Sequence, residues 1–243
     1  LTPDSVWKLK TIRGSLGVKI EGTPVKLLSA ANLFNELFWD DRSSLSALGG
    51  RYARMLSGMT DEAGSILVVE PGIPRSGAFI SSLRENLIQL GRSMQAPCPH
   101  QGSCPLPGLR KGSKWCHFAF STEDAPSDLH KLSAAAGIPK ERASLSFLYS
   151  QAHGEPTGLA AAQQGAPSAQ GSREGPVKLA VRILSDAFSL GPATAGRYAC
   201  SERGLVLVHG KKNRIDGLES GYITELPLET RAEQRDKKSG ALM

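Results

Sequence analysis

The sequence predicts an α/β fold in which a cysteine-rich loop interrupts the sheet and an antiparallel hairpin lies near the C-terminus. Three observations carry this prediction. The segment from Val25 to Ala30 has the apolar character of a strand buried on both faces, and Leu33, Phe34, Leu37 and Phe38 then recur at helical spacing. The run "SILVVEPG" at residues 65 to 72 lies between two helix-period segments. The composition, 40% hydrophobic and 21% charged over 243 residues, is that of a globular protein with a core of its own. Strands alternating with helices imply a parallel sheet with crossover connections.

Taken in order, a first strand at Val25 runs into a helix, and a second helix spans Ser44 to Met59. The strand at 65–72 follows, then an amphipathic helix from about Ser76 to Ser93 with Leu83, Leu87, Ile88 and Leu90 on its apolar face. Beyond the cysteine loop, "APSDLHKLSAAAGI" predicts a short helix with Ser127 as N-cap and Gly137 as terminator. The strand "ASLSFLYSQ" comes next. Residues 152–176 are rich in Gly, Ala, Pro, Gln and Ser without a periodic apolar face, which predicts a mobile low-complexity insertion. After "VKLAVRILSDAF", the β-like runs "RYACSE" and "GLVLVHGKK" predict a hairpin closing the sheet edge. Residues 227–243 read as an exposed polar tail.

No apolar run reaches the roughly 18 residues that cross a bilayer, and "LTPDSVWKLK" lacks the apolar core of a signal peptide. The expectation is an intracellular protein. A formal net charge of +6 and a pI near 9.2 point to a polyanionic partner such as nucleic acid. The chain has no Gly-x-Ser-x-Gly elbow, no Gly-x4-Gly-Lys phosphate loop and no His-Glu-x-x-His helix, which excludes those nucleophilic, P-loop and zinc-protease chemistries.

Three of the four cysteines fall in "APCPHQGSCPLPGLRKGSKWCHF". Cys98 and Cys104 have five residues between them, Cys116 follows after eleven more, and Cys200 sits on the predicted hairpin. The close C-x2-C pair of zinc ribbons is missing. In a reducing compartment such thiols are buried, catalytic or metal-bound rather than disulfide-bonded. Four thiolates are also the complement of an iron–sulfur cluster, which tolerates wider spacing than one ion. Spacing alone leaves cluster, zinc and unligated thiols open.

The ordered motifs "SAANLFNEL", "LVVEPGIPRSG", "PCPHQGSCPL", "KWCHFAF", "GRYACSERGLVLV" and "KKSGAL" resemble the methyltransferase-like proteins of small-ribosomal-subunit assembly, the family of methyltransferase-like protein seventeen. The resemblance runs from about Val25 onward, apart from the insertion. It implies a Rossmann-like S-adenosylmethionine-dependent methyltransferase fold, association with the small ribosomal subunit or its rRNA, and a [4Fe–4S] cluster on Cys98, Cys104, Cys116 and Cys200. Zinc is the alternative occupant, with His100 and His117 near the ligands. Location follows as the cytoplasm in a bacterium or the mitochondrial matrix in a eukaryote.

The family's Gly-rich first turn and its ribose-binding acidic residue have no counterpart here. The chain therefore resembles the C-terminal half of the family fold, its first half being a missing segment or a partner chain. On that reading, residues 1–95 form a partial methyltransferase core and 96–120 the cluster loop. Residues 121–151 with 177–226 supply the rest of the sheet. Asn32, Asn35, Glu70 and Gly72 then stand at the carboxyl ends of strands, on the methyl-donor side. Joining four thiolates would gather Arg110, Lys111, Lys114, Arg197, Arg203, Lys211, Lys212 and Arg214 into one RNA-binding patch, with Trp115, His117, Phe118 and Tyr198 for stacking. The expected functions are an rRNA methyltransferase or a non-catalytic rRNA-binding assembly factor.

Overall fold

The computed structural model describes residues 6, 8–18, 20–22, 24–37, 44–108, 114–152, 178–227, 234–236 and 239–243. Two five-stranded sheets account for the strands. In the first, β1 (Val25–Ala31) pairs in parallel with β2 (Thr60–Pro71), Leu28 opposite Ile66 and Ala30 opposite Val68. The strand β5 (Arg142–Ala152) pairs antiparallel with β2, with β3 (Arg92–Ala96) and with β4 (Phe118–Ser121). Thus β1, β2 and β3 run one way and β5 runs against them. The α/β character holds, but among the described residues only one pair of neighbouring strands, β1 and β2, is parallel.

The helices form for local reasons that then serve the core. In α2 (Leu45–Met59), Ser44 caps the start by accepting the Ala47 N–H through its hydroxyl. Pro74 opens α3 (Pro74–Gln89), where its missing N–H costs nothing. The two helices approach closely at Gly49, where a Cβ would lie 2.3 Å from the Ser82 hydroxyl. The short α1 (Phe34–Leu37) buries Phe34 against Tyr52 and Phe79, ring centroids 4.9 and 4.8 Å away. Ile66, Val68, Leu83, Leu87, Met94 and Leu148 complete that core.

Several expectations are corrected. The helix expected to reach Ser93 stops at Gln89, because Gly91 takes φ 82 and turns the chain into β3. The first strand is an edge with Leu27 59% exposed, since β2 is its one strand partner among the described residues. In α4 (Ser127–Ala135), Pro126 rather than Ser127 occupies the cap position, while Gly137 at φ 68 ends the helix as expected. The insertion beyond Ala152 lies outside the described residues up to 177.

The largest correction concerns the C-terminal region, which builds a second antiparallel sheet rather than an edge for the first. Its path is β10 (Ile223–Pro227), β6 (Lys178–Ile183), β8 (Thr194–Ser201) and β7 (Phe188–Gly191), with β9 (Gly204–Lys211) also on β8. Leu179, Val181, Ile183, Ala195, Ala199, Val206 and Val208 fill a separate core, joined by Ile215 of α5 (Lys212–Asp216). The polar tail also folds back. Leu242 donates its N–H to Leu205 and accepts that of Leu207, and Ala241 and Leu242 are buried. Two apolar residues among polar ones sufficed to extend this sheet.

Candidate metal centre and basic surface

Strand alternation aims the second sheet at the cysteine loop. Ala195 and Ala199 of β8 face the second core, so Tyr198 and Cys200 face the other way. Arg182 lies directly across from Cys200 on β6 and shares its face. Its Nε donates to the carbonyl of Pro97 at 2.7 Å and its Nη1 to that of Gly221 at 2.6 Å. Arg182 thereby joins the second sheet to the start of the cysteine loop.

The first sheet contributes Arg84 from α3, a residue 2% exposed. Its Nε donates to Cys98 Sγ at 3.0 Å, and its Nη2 to the carbonyls of His100 and Gly102 at 2.9 and 2.7 Å. Its Nη1 is buried without a hydrogen-bond partner. His100 is buried as well, with Nε2 3.4 Å from Cys200 Sγ and Nδ1 lacking a partner. Burial, helped by the Arg84 charge, lowers the imidazole pKa to about 4, so the ring is neutral near pH 7.

The loop is fixed at three more points. Gln101 brackets Met94, accepting its N–H at 2.8 Å and donating to its carbonyl at 2.7 Å, in the manner of an added strand residue. Trp115 donates from Nε1 to Gly72 O at 3.0 Å and stacks on His117 at 4.9 Å. Ser146 Oγ donates to Cys116 O at 2.8 Å. The glycine at 77 leaves the room Trp115 needs, since a Cβ there would lie 2.5 Å from its ring.

These contacts bring the four cysteines into one electrostatic neighbourhood as free thiols. Burial raises the pKa of Cys98, Cys116 and Cys200, and the neighbouring sulfurs raise each further, while Arg84 opposes all three. Burial lowers the pKa of Arg84 and Arg182, and negative charge on the sulfurs raises it, enough to reverse the direction at Arg84. Among the described residues, no group of three or more His, Cys, Asp or Glu is arranged to hold a single metal ion. The donors present, four thiols with the buried Arg84, its orphaned Nη1 and the half-buried Arg182, are compatible in chemistry with an anionic group larger than one ion.

The residues assigned to the methyl-donor side are largely occupied by the fold. Glu70 is 1% exposed, and its carboxylate accepts the N–H groups of Leu33, Phe34 and Asn35 at 3.0, 2.8 and 3.0 Å. Burial raises its pKa and the three donors pull it back. Glu70 is therefore the cap of α1, and Glu70→Ala is expected to cost about 2–4 kcal/mol in urea unfolding, because three donors lose their acceptor. Glu70→Gln, which retains one oxygen, should cost about half of that. Gly72 has no positive φ. It is small because a Cβ would lie 2.6–2.9 Å from Ser144 and Leu145. Asn35 accepts from Ser76 Oγ and donates to Glu36, whereas Asn32, at φ 52, leaves its side chain exposed.

The single basic patch expected from sequence divides. Arg197 is buried and donates to the carbonyls of Ile215, Ser185 and Asp216, two of them at the end of α5, so it is structural rather than RNA-facing. Lys114 is exposed with its ammonium 4.4 Å from the centre of the Tyr198 ring, and Arg203 is exposed at the β8–β9 turn. Lys211, Lys212 and Arg214 lie exposed at the opposite end of β9, roughly 25 Å from Arg203 at about 3.3 Å per strand residue. Arg110 and Lys111 fall outside the described residues.

Sequence reasoning missed Arg84, Arg182 and Gln101. A signal existed for Arg84, which follows Ile80 by four and precedes Leu87 by three, placing a cation on the buried stripe of α3. No curated protein matches the chain. The family model described as mitochondrial small ribosomal subunit Rsm22, a methyltransferase-like family, matches residues 8–173, a span that contains the whole first sheet with Cys98, Cys104 and Cys116. The chain belongs to that family.

Proposed function

We propose that the chain is an rRNA-binding, methyltransferase-like protein of the small ribosomal subunit in which Cys98, Cys104, Cys116 and Cys200 hold a [4Fe–4S] cluster. One observation carries the proposal: three thiols of one loop and a fourth from the second sheet share a neighbourhood with two guanidiniums, the buried Arg84 and the half-buried Arg182. Buried cations need an anion, and neutral thiols do not supply one. When bound, the group would turn four thiols into thiolate ligands and cross-link the loop to β8. The exposed cations Lys114, Arg203, Lys211, Lys212 and Arg214 support phosphate contact, as does the net charge of +6.

The common direction of β1, β2 and β3, with their carboxyl ends on one side, supports a partial Rossmann-like methyltransferase sheet completed by a further segment or a partner chain. The family description supports a mitochondrial matrix location in a eukaryote, with the cytoplasm as its bacterial counterpart. No helix among the described residues is long and apolar enough to cross a membrane.

The test is the metal content and visible spectrum of protein purified without air. About four irons per chain and a brown colour are expected. A colourless protein carrying one zinc would replace the cluster by zinc, and a metal-free protein would overturn the proposal. Methyl transfer is a second reading, favoured by Asn32, whose exposed amide stands at the carboxyl end of β1. Saturable binding of S-adenosylmethionine with label transfer to small-subunit rRNA would establish it. Salt-sensitive rRNA binding without donor affinity would leave a non-catalytic assembly factor.

A further inference from the structure

We infer that a groove between the cysteine loop and the C-terminal segment receives one unpaired nucleotide of an RNA strand. The inference rests on the proposed rRNA binding and adds where the RNA is read and in what form. The groove has a volume of about 390 Å³, within the roughly 300–1,000 Å³ of sites that enclose a small ligand. Pro105, Leu106, Pro107 and Leu205 wall it, and Lys114 and Arg235 bring cations to it. No acidic side chain lines it among the described residues.

The chemistry matches a nucleotide part by part. Apolar walls of proline and leucine suit the apolar face of a base, and two cations suit the phosphate on its flank. Both cations are held in place before any ligand arrives, Lys114 over the Tyr198 ring at 4.4 Å and Arg235 through Nη1 to Gly240 O at 3.2 Å. A base within a duplex is stacked and paired and does not enter a groove of this kind, so an unpaired loop or bulge is the form recognised. The walls also belong to the proposed ligand segments. Pro105 follows Cys104, Leu205 pairs with Cys200 across the β8–β9 hairpin, and Leu242 of the tail bonds to Leu205.

Fluorescence anisotropy on the full chain purified without air tests the assignment, with a labelled eight-nucleotide single-stranded RNA and a labelled blunt-ended RNA duplex of two annealed strands as probes. The double variant Lys114→Ala/Arg235→Ala should bind the single strand about tenfold more weakly, as the loss of two phosphate contacts implies. Its salt slope should fall by about 1.4, the value for two phosphate contacts on a single strand, while duplex binding stays within about twofold. Lys114→Ala alone should show part of this loss without disturbing the tail. Lys211→Ala/Lys212→Ala, at the far end of β9, should weaken both probes alike. Equal losses for both probes in the groove variants, or no loss, would overturn the groove assignment and leave rRNA binding standing. A wild-type chain that binds neither probe would overturn both.

Discussion

Cys104→Ser is expected to remove most of the iron from anaerobically purified protein and to loosen the segment from 97 to 117. Cys104 is only half-buried, so as an unligated thiol its replacement by serine would change stability by less than about 1 kcal/mol. As a ligand it closes a site that orders a stretch rich in Pro, Gly and charge, which has few apolar contacts to fall back on. The two outcomes are far apart. Cys200→Ser extends the test because its strand belongs to the second sheet. Losing that link should raise hydrogen exchange at the amides of Cys98, His100 and Gln101 while sparing Leu179, Val181 and Ile183 in the second core. Full iron content and unchanged exchange in both variants would show that the thiols are not ligands.

The distribution of what the sequence disclosed follows from the range of each interaction. The helix beginning at Ser44, Gly137 as a terminator and the strand through Ile66 and Val68 are set by neighbours a few residues away, and all were readable. The third strand, "RSMQA", places one large apolar side chain in the core and forms because β5 offers it a partner 50 or more residues later in sequence. The division into two sheets was hidden for a related reason. Hairpins look alike in sequence whether they close an old sheet or start a new one, and only the alternation of Val206 and Val208 against Leu205 and Leu207 shows that a second core exists. Arg197 reads as a surface cation because most arginines are, yet the last carbonyls of α5 and that of Ser185 capture all of its fork. The cysteines were legible as a set of four, but the guanidiniums that share their site came from a helix and a strand with no motif to mark them.

Arg84 should separate the two things a buried guanidinium can do here, holding the loop and balancing charge. Arg84→Met keeps most of the volume and leaves the carbonyls of His100 and Gly102 without their donor, which on its own costs about 2–4 kcal/mol. In iron-free protein burial raises the pKa of Cys98, Cys116 and Cys200, so these thiols are protonated near neutral pH and the charge of Arg84 has little to balance. A cluster held on the proposed ligands would turn the same sulfurs into anions, and the charge would then become necessary. The cost of Arg84→Met, read by anaerobic urea unfolding, should therefore be larger in loaded than in iron-free protein by about 1.5–3 kcal/mol, the worth of a charge-assisted contact in a buried setting. Arg84→Lys retains the charge but not the fork, so it should recover most of the iron-dependent part and little of the rest. Equal costs in both forms would mean that Arg84 only fastens the loop, and the anionic occupant would lose its main support.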